Sequence, residues 1–124
     1  MEIVNSTEAP SAIGPYSQAV ISNGFVFCSG QIALTNEGEM IDGEVSMQTE
    51  QVLKNLEAVL KKAGSNFTKI VKTTIYLIDI NDFPSVNETY SKYFDQDHKP
   101  ARATVAVKEL PKGAKVEIDC IAIL

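Results

Sequence analysis

One stretch of this chain changes period, and that change limits the folds open to it. From Ser46 to Ala63, the apolar residues Val52, Leu56, Val59, Leu60 and Ala63 recur at i, i+4, i+7, i+8 and i+11. That spacing draws a single stripe down one helix. Glu50 suits the positive end of such a helix, and Lys61 and Lys62 suit the negative end. Gly64 can take the left-handed backbone that closes it. On the N-terminal side, residues 17–22 and 25–29 read as strands flanking Asn23-Gly24. This dipeptide suits a type I′ turn, whose two central residues both need positive φ. Thr35-Asn36-Glu37-Gly38 reads as a second turn leading into a loop.

Beyond the helix, residues 69–79 are rich in β-branched types (Ile70, Val71, Thr73, Thr74, Ile75, Ile78) and predict a strand. Asn81 or Asp82 can cap a second helix, with Pro84 tolerated in its first turn and a stripe of Phe83, Val86, Tyr90, Tyr93 and Phe94. Segments 101–107 and 115–123 alternate as strands joined through Pro111-Lys112-Gly113. The order is ββαβαββ, an α+β domain with both helices on one face of a mixed sheet. No repeat or linker divides residues 1–124, so one domain is expected. The other sheet face must meet something apolar, and self-association is the simplest cover.

Composition narrows the partners. Eleven Lys and Arg against sixteen Asp and Glu leave a net charge of −5, the opposite of the basic stripe that phosphate binding needs, so no nucleic-acid partner is expected. The first residues lack the pattern of a signal peptide, and no apolar run approaches a membrane span. Cys28 and Cys120 lie in apolar strand-like segments without CxxC spacing. They read as reduced core thiols and the compartment as cytoplasmic. Sequons at Asn5, Asn66 and Asn87 carry no weight without a secretion signal.

Several residues are candidates for chemistry, each with a plain structural alternative. Arg102 shares a strand face with Thr104 and Ala106. It is either an exposed face residue or a clamp for a planar anion, which its fork fits with two bonds. Glu117 and Asp119 alternate on one strand face, as a solvated face or as paired carboxylates dividing acid and base roles. Gly30, in Ser29-Gly30-Gln31, marks a bulge or a close approach of backbone to ligand. Tyr16, behind Gly14-Pro15, is a ligand-bonding hydroxyl or a strand-edge aromatic. His98 is the single histidine, in a polar loop. It reads as solvated surface, with no metal site expected. Dinucleotide, phosphate-loop and nucleophile-elbow motifs are absent.

Four stretches together resemble the Rid family of reactive intermediate deaminases, also called the YjgF family. They are Ala12-Ile13-Gly14-Pro15-Tyr16-Ser17-Gln18-Ala19, Ser29-Gly30-Gln31-Ile32, Pro100-Ala101-Arg102 and Val116-Glu117-Ile118. The order of helices and strands agrees, so the likeness spans nearly the whole chain. The resemblance implies a chorismate-mutase-like fold and a homotrimer with a central barrel and ligand clefts between subunits. It also implies hydrolytic deamination, without a cofactor, of the 2-aminoacrylate/2-iminopropionate type of imine to a 2-keto acid and ammonia. Carried over by position, Arg102 pairs with the substrate carboxylate, Glu117 positions or activates water, and Tyr16 and the Ser29-Gly30 backbone line the site. Many family members follow this Arg with Ser-Cys, where this chain has Ala103-Thr104. The hydroxyl or backbone N–H of Thr104 would replace the thiol contact. A non-catalytic trimeric sensor of keto acids or amino acids would use the same Arg102. RNA cleavage and chaperone activity are also reported in the family. The acidic charge and the lack of a His pair count against the first, and the sequence is silent on the second.

Overall fold

The computed structural model describes residues 1–124. A short strand β1 (Glu2–Val4) precedes the hairpin of β2 (Ala19–Ser22) and β3 (Phe25–Gln31). Then follow α1 (Val45–Ala63), β4 (Ile70–Leu77), α2 (Phe83–Ser91), β5 (Ala101–Ala106) and β6 (Val116–Ile123). The hairpin turn forms as its residues require, with φ of 52° at Asn23 and 79° at Gly24. The six strands lie in the order β1-β2-β3-β6-β4-β5, and β4–β5 is the parallel pair of this mixed sheet. Strand β1 was not expected. Three residues are too few to show alternation, and pairing with β2 (Ile3 opposite Val20) is what holds them extended.

Of the α1 stripe, Val52, Leu56, Val59 and Leu60 are buried as the spacing predicts, Ala63 is only partly buried, and Leu53, outside the stripe, is buried with them. Val52, Leu53, Leu56, Val59 and Leu60 pack with Val26, Ile75, Leu77 and Ile118 of the sheet in one apolar core. Each such side chain contributes about 1.5–3 kcal/mol of transfer free energy. Gly64, at φ 88°, closes the helix by donating its N–H to the carbonyls of Leu60 and Lys61. Two local expectations fail. Glu50 is not at the helix start, because α1 begins at Val45; it instead accepts a bond from the Tyr93 hydroxyl at 2.5 Å. Asp82 occupies the N-cap of α2 with helical backbone and no capping bond, while Asp79 caps the preceding 3-10 turn through Asn81 N–H. Tyr93 and Phe94 lie past the end of α2 yet still pack on the core, 5.3 and 5.4 Å from Phe67 between ring centres.

Strand alternation separates the two sheet faces. Val116, Ile118, Cys120 and Ala122 are buried under the helices, and Glu117, Asp119, Ile121 and Ile123 point the other way. On that second face Phe25 pairs with Ile123 and Phe27 with Ile121, and both phenylalanines remain at least 40% exposed. No helix covers them. Cys28 and Cys120 stand opposite one another on the helix side as free, buried thiols. The hydrogen bond with Cys28, and then burial, push the Cys120 thiol far above its ordinary range. No helix is long and apolar enough to cross a membrane.

Candidate functional site

A cleft of about 640 Å³ opens where the end of β3, the start of β6 and the loops at 10–16, 36–38 and 111–112 meet. Its shape follows from a few buried polar anchors. The Gln18 side chain accepts from Ser6 N–H at 2.6 Å and donates to the carbonyls of Ser6 and Pro10, at 3.1 and 2.8 Å. That ties the N-terminal segment to the base of β2. Asn55 of α1 donates to the carbonyls of Ile32 and Leu34, at 3.2 and 2.8 Å, and holds the loop that follows β3. The Ser29 hydroxyl donates to the Ser17 carbonyl at 2.6 Å, while the Ser29 N–H reaches the Gln18 carbonyl at 2.9 Å. Ser29 therefore lines the cleft with its own donors already engaged.

Gly30 sits in a bulge: between the pairs Cys28–Cys120 and Gln31–Ile118, two residues of β3 oppose Asp119 alone. The glycine is needed for space. A Cβ at position 30 would overlap the carboxylate of Glu117. Glu117 is thus held against bare backbone, half-buried, with Tyr16 on the cleft wall. Burial, and then the charge of Asp119, raise its pKa above the ordinary carboxylate value. Asp119 accepts a bond from the Tyr76 hydroxyl at 3.1 Å.

Tyr16, Ser29, Gly30 and Glu117 therefore meet in one cleft, as the sequence suggested, whereas Arg102 and Thr104 do not join them. Both lie on β5 at the sheet edge, opposite Thr73 and Ile75 and so on the helix face. Glu117 is on the bare face, two strands away, a distance of about 10 Å across the ladder. Within one chain the two residues cannot act on one small molecule. Arg102 is exposed, but its guanidinium is fixed. It lies 5.2 Å from the ring centre of Phe83 and 5.0 Å from that of Tyr90, and Nη1 donates to Asn87 Oδ1 at 2.7 Å.

Sequence reasoning missed Asn87, although Phe83, Asn87 and Tyr90 share a helix face at i, i+4 and i+7. It also missed Lys112 as a cleft residue, which has the left-handed φ of 56° that non-glycine residues adopt rarely. His98 is not solvated surface. It is half-buried, its Nε2 is 3.0 Å from the Ile70 carbonyl, and it ties its loop to β4. No three His, Cys, Asp or Glu side chains cluster closely enough to hold a metal ion.

Comparison with known proteins adds to this geometry. The family described as Endoribonuclease L-PSP matches residues 6–124. The human 2-iminobutanoate/2-iminopropanoate deaminase is 47% identical, over 98% of this chain and 88% of its own length. The Yersinia pestis protein YyfA, of the Rid family, superposes with a TM-score of 0.96 at 48% identity, covering 99% of this chain and 98% of that one. E. coli TdcF, solved with bound serine, gives 0.93 at 39% identity, covering 100% of this chain and 99% of the other.

Proposed function

The chain belongs to the endoribonuclease L-PSP (Rid) family, and on that premise we propose that it hydrolyses 2-imino and enamine acids of the 2-aminoacrylate/2-iminopropionate type. The observation that carries this is the Glu117 carboxylate, half-buried, raised in pKa and held against Gly30 inside a cleft. A raised carboxylate lies nearer to working pH, where it can both take and return a proton. The name of the human relative supports the substrate class.

The cation that the chain itself lends the cleft, Lys112, has no fork to clamp a carboxylate, while Arg102 stands on the edge strand β5 with its Nη1 bonded to Asn87. Edge strands and bare apolar faces invite a second copy, and a ring of three would bring Arg102 of one protomer to the cleft of its neighbour. In that assembly Arg102 pairs with the substrate carboxylate, with Thr104 beside it, and the Tyr16 ring closes the wall. The imine carbon C2 then faces water next to Glu117. Glu117 accepts a proton as the water oxygen bonds to C2, giving a carbinolamine. Returned to nitrogen, the proton allows the C–N bond to break; the carbinolamine hydroxyl then gives its proton through Glu117 to the departing ammonia, and a 2-keto acid and ammonium leave. Iminium plus water equals keto acid plus ammonium, so no redox partner enters. Orientation and charge stabilisation account for the catalysis.

A metabolite-binding regulator would use the same cleft, and the serine bound in TdcF favours that second function. Nuclease action finds less support: the chain carries a net charge of −5, and its single His lies outside the cleft. Generating 2-aminoacrylate in situ and following ammonia and pyruvate together separates enzyme from regulator. Product release above the solvent rate supports the enzyme, and pyruvate binding without turnover supports the regulator. Light scattering at micromolar concentration should give a trimer mass, and a monomer mass would remove the shared site.

A further inference from the structure

Arg102 rests on a seat built by one face of α2. Phe83, Asn87 and Tyr90 all touch its guanidinium, two through their rings and Asn87 through Oδ1. Tyr90 is itself fixed, since its hydroxyl shares a 2.8 Å hydrogen bond with Thr73 Oγ1, and Thr73 is the residue opposite Arg102 in the β4–β5 ladder. The side-chain partner of the guanidinium is thus a neutral amide.

That choice is informative. Asn is a weak helix former, and Asn87 lies well inside α2, where Ala, Glu or Lys would favour the helix more. Asp would accept the same Nη1 bond more strongly but would neutralise the charge it holds. A neutral acceptor orients the fork and leaves the charge intact. With Nη1 engaged, Nε and Nη2 still present two parallel donors to a planar carboxylate. We infer that Asn87 is the positioning residue of Arg102, selecting the guanidinium orientation in which the Nε–Nη2 edge receives the substrate carboxylate. This rests on Arg102 being the carboxylate ligand.

Three full-length proteins test it: the parent, Asn87→Ala and Asn87→Asp. Nitrogen-15 NMR of the Arg102 guanidinium reads rotation about Nε–Cζ, pyruvate titration reads carboxylate affinity, and imine turnover supplies KM and kcat. The parent should show separate Nη signals. In Asn87→Ala they should merge, and pyruvate Kd and imine KM should rise roughly tenfold with kcat changed within about twofold. Asn87→Asp should keep the signals separate yet bind pyruvate as weakly as Asn87→Ala, because the added carboxylate competes for the fork. Asn87→Ala with separate Nη signals and parental affinity would overturn the inference, even if its Tm changed. Failure of the carboxylate-ligand role is distinguishable: a parent with separate Nη signals that binds no pyruvate removes that role, and the purpose given to Asn87 with it.

Discussion

Gly30→Ala tests whether the cleft is organised around Glu117. The glycine has no left-handed φ, so alanine is compatible with the backbone, and the conflict is one of space alone. An added methyl would stand 2.9 Å from Cδ and 3.1 Å from Cγ of Glu117, and would overlap Oε2. Carbon contacts relax to about 3.5–4.0 Å, so the carboxylate must move by on the order of 1 Å or more. The atoms that yield are the far end of a flexible side chain. Overpacking should therefore cost only about 1 kcal/mol, the low end of its range, partly offset by a stiffer unfolded chain, about 0.4–1 kcal/mol. Misplacing a catalytic group by 1 Å costs about a hundredfold in rate, or about 2.7 kcal/mol of transition-state stabilisation. The variant should then fold with nearly parental urea stability while losing about two orders of magnitude in ammonia release. In a Glu117→Ala background the same change should cost no stability, since the atoms it strikes are gone. A folded Gly30→Ala protein with parental kcat would refute the steric argument and the role of Glu117.

Other outcomes follow from the same geometry. Arg102→Ala should keep its fold but lose measurable deamination. Arg102→Lys should keep part of the affinity, having the charge without the fork, with each charge-assisted bond lost costing about 1.5–3 kcal/mol. Asp119→Asn keeps an acceptor for Tyr76 but removes the charge that helps raise the Glu117 pKa. The acid limb of kcat/KM should move to lower pH, and an unmoved limb would deny Glu117 the role of base. Glu117 takes up its proton more readily folded than unfolded, so its charge lowers stability as pH rises from the ordinary carboxylate value through the raised one. Glu117→Gln should accordingly abolish turnover yet raise Tm at pH 7, and a lower Tm would contradict the burial argument.

Elements governed by local chemistry were legible in the sequence: the α1 stripe, the Gly64 cap, the Asn23-Gly24 turn and the alternation of β6. The three residues of β1 were not, because their pairing with β2 comes from distant contacts rather than from pattern. Tyr16, Ser29, Gly30 and Glu117 were named together through the family resemblance, since their own pattern fitted a solvated face and a bulge equally well, and the folded sheet is what gathers them into one cleft. The separation of Arg102 from Glu117 was not readable, because strand order and sheet face are properties of the assembled sheet. Asn87 carried a faint signal, a poor helix former at i+4 from Phe83 and i−3 from Tyr90, which gains meaning only once Arg102 is seen lying across them. His98 misled for a related reason. Its polar neighbours suggested solvent, while its partner is a backbone carbonyl 28 residues away in sequence.

The most direct test of a deaminase site shared between protomers is a mixed trimer. Arg102→Ala and Glu117→Gln chains carrying different tags are co-expressed, and assemblies holding both are isolated. In a cyclic trimer with sites at its interfaces, either mixture leaves one interface where intact Glu117 meets intact Arg102, so about one-third of the parental ammonia and pyruvate release should return. Each variant alone should be inactive. Mixed trimers as silent as both parent variants would contradict the shared site, and a parent protein that never accelerates imine hydrolysis would contradict the activity itself.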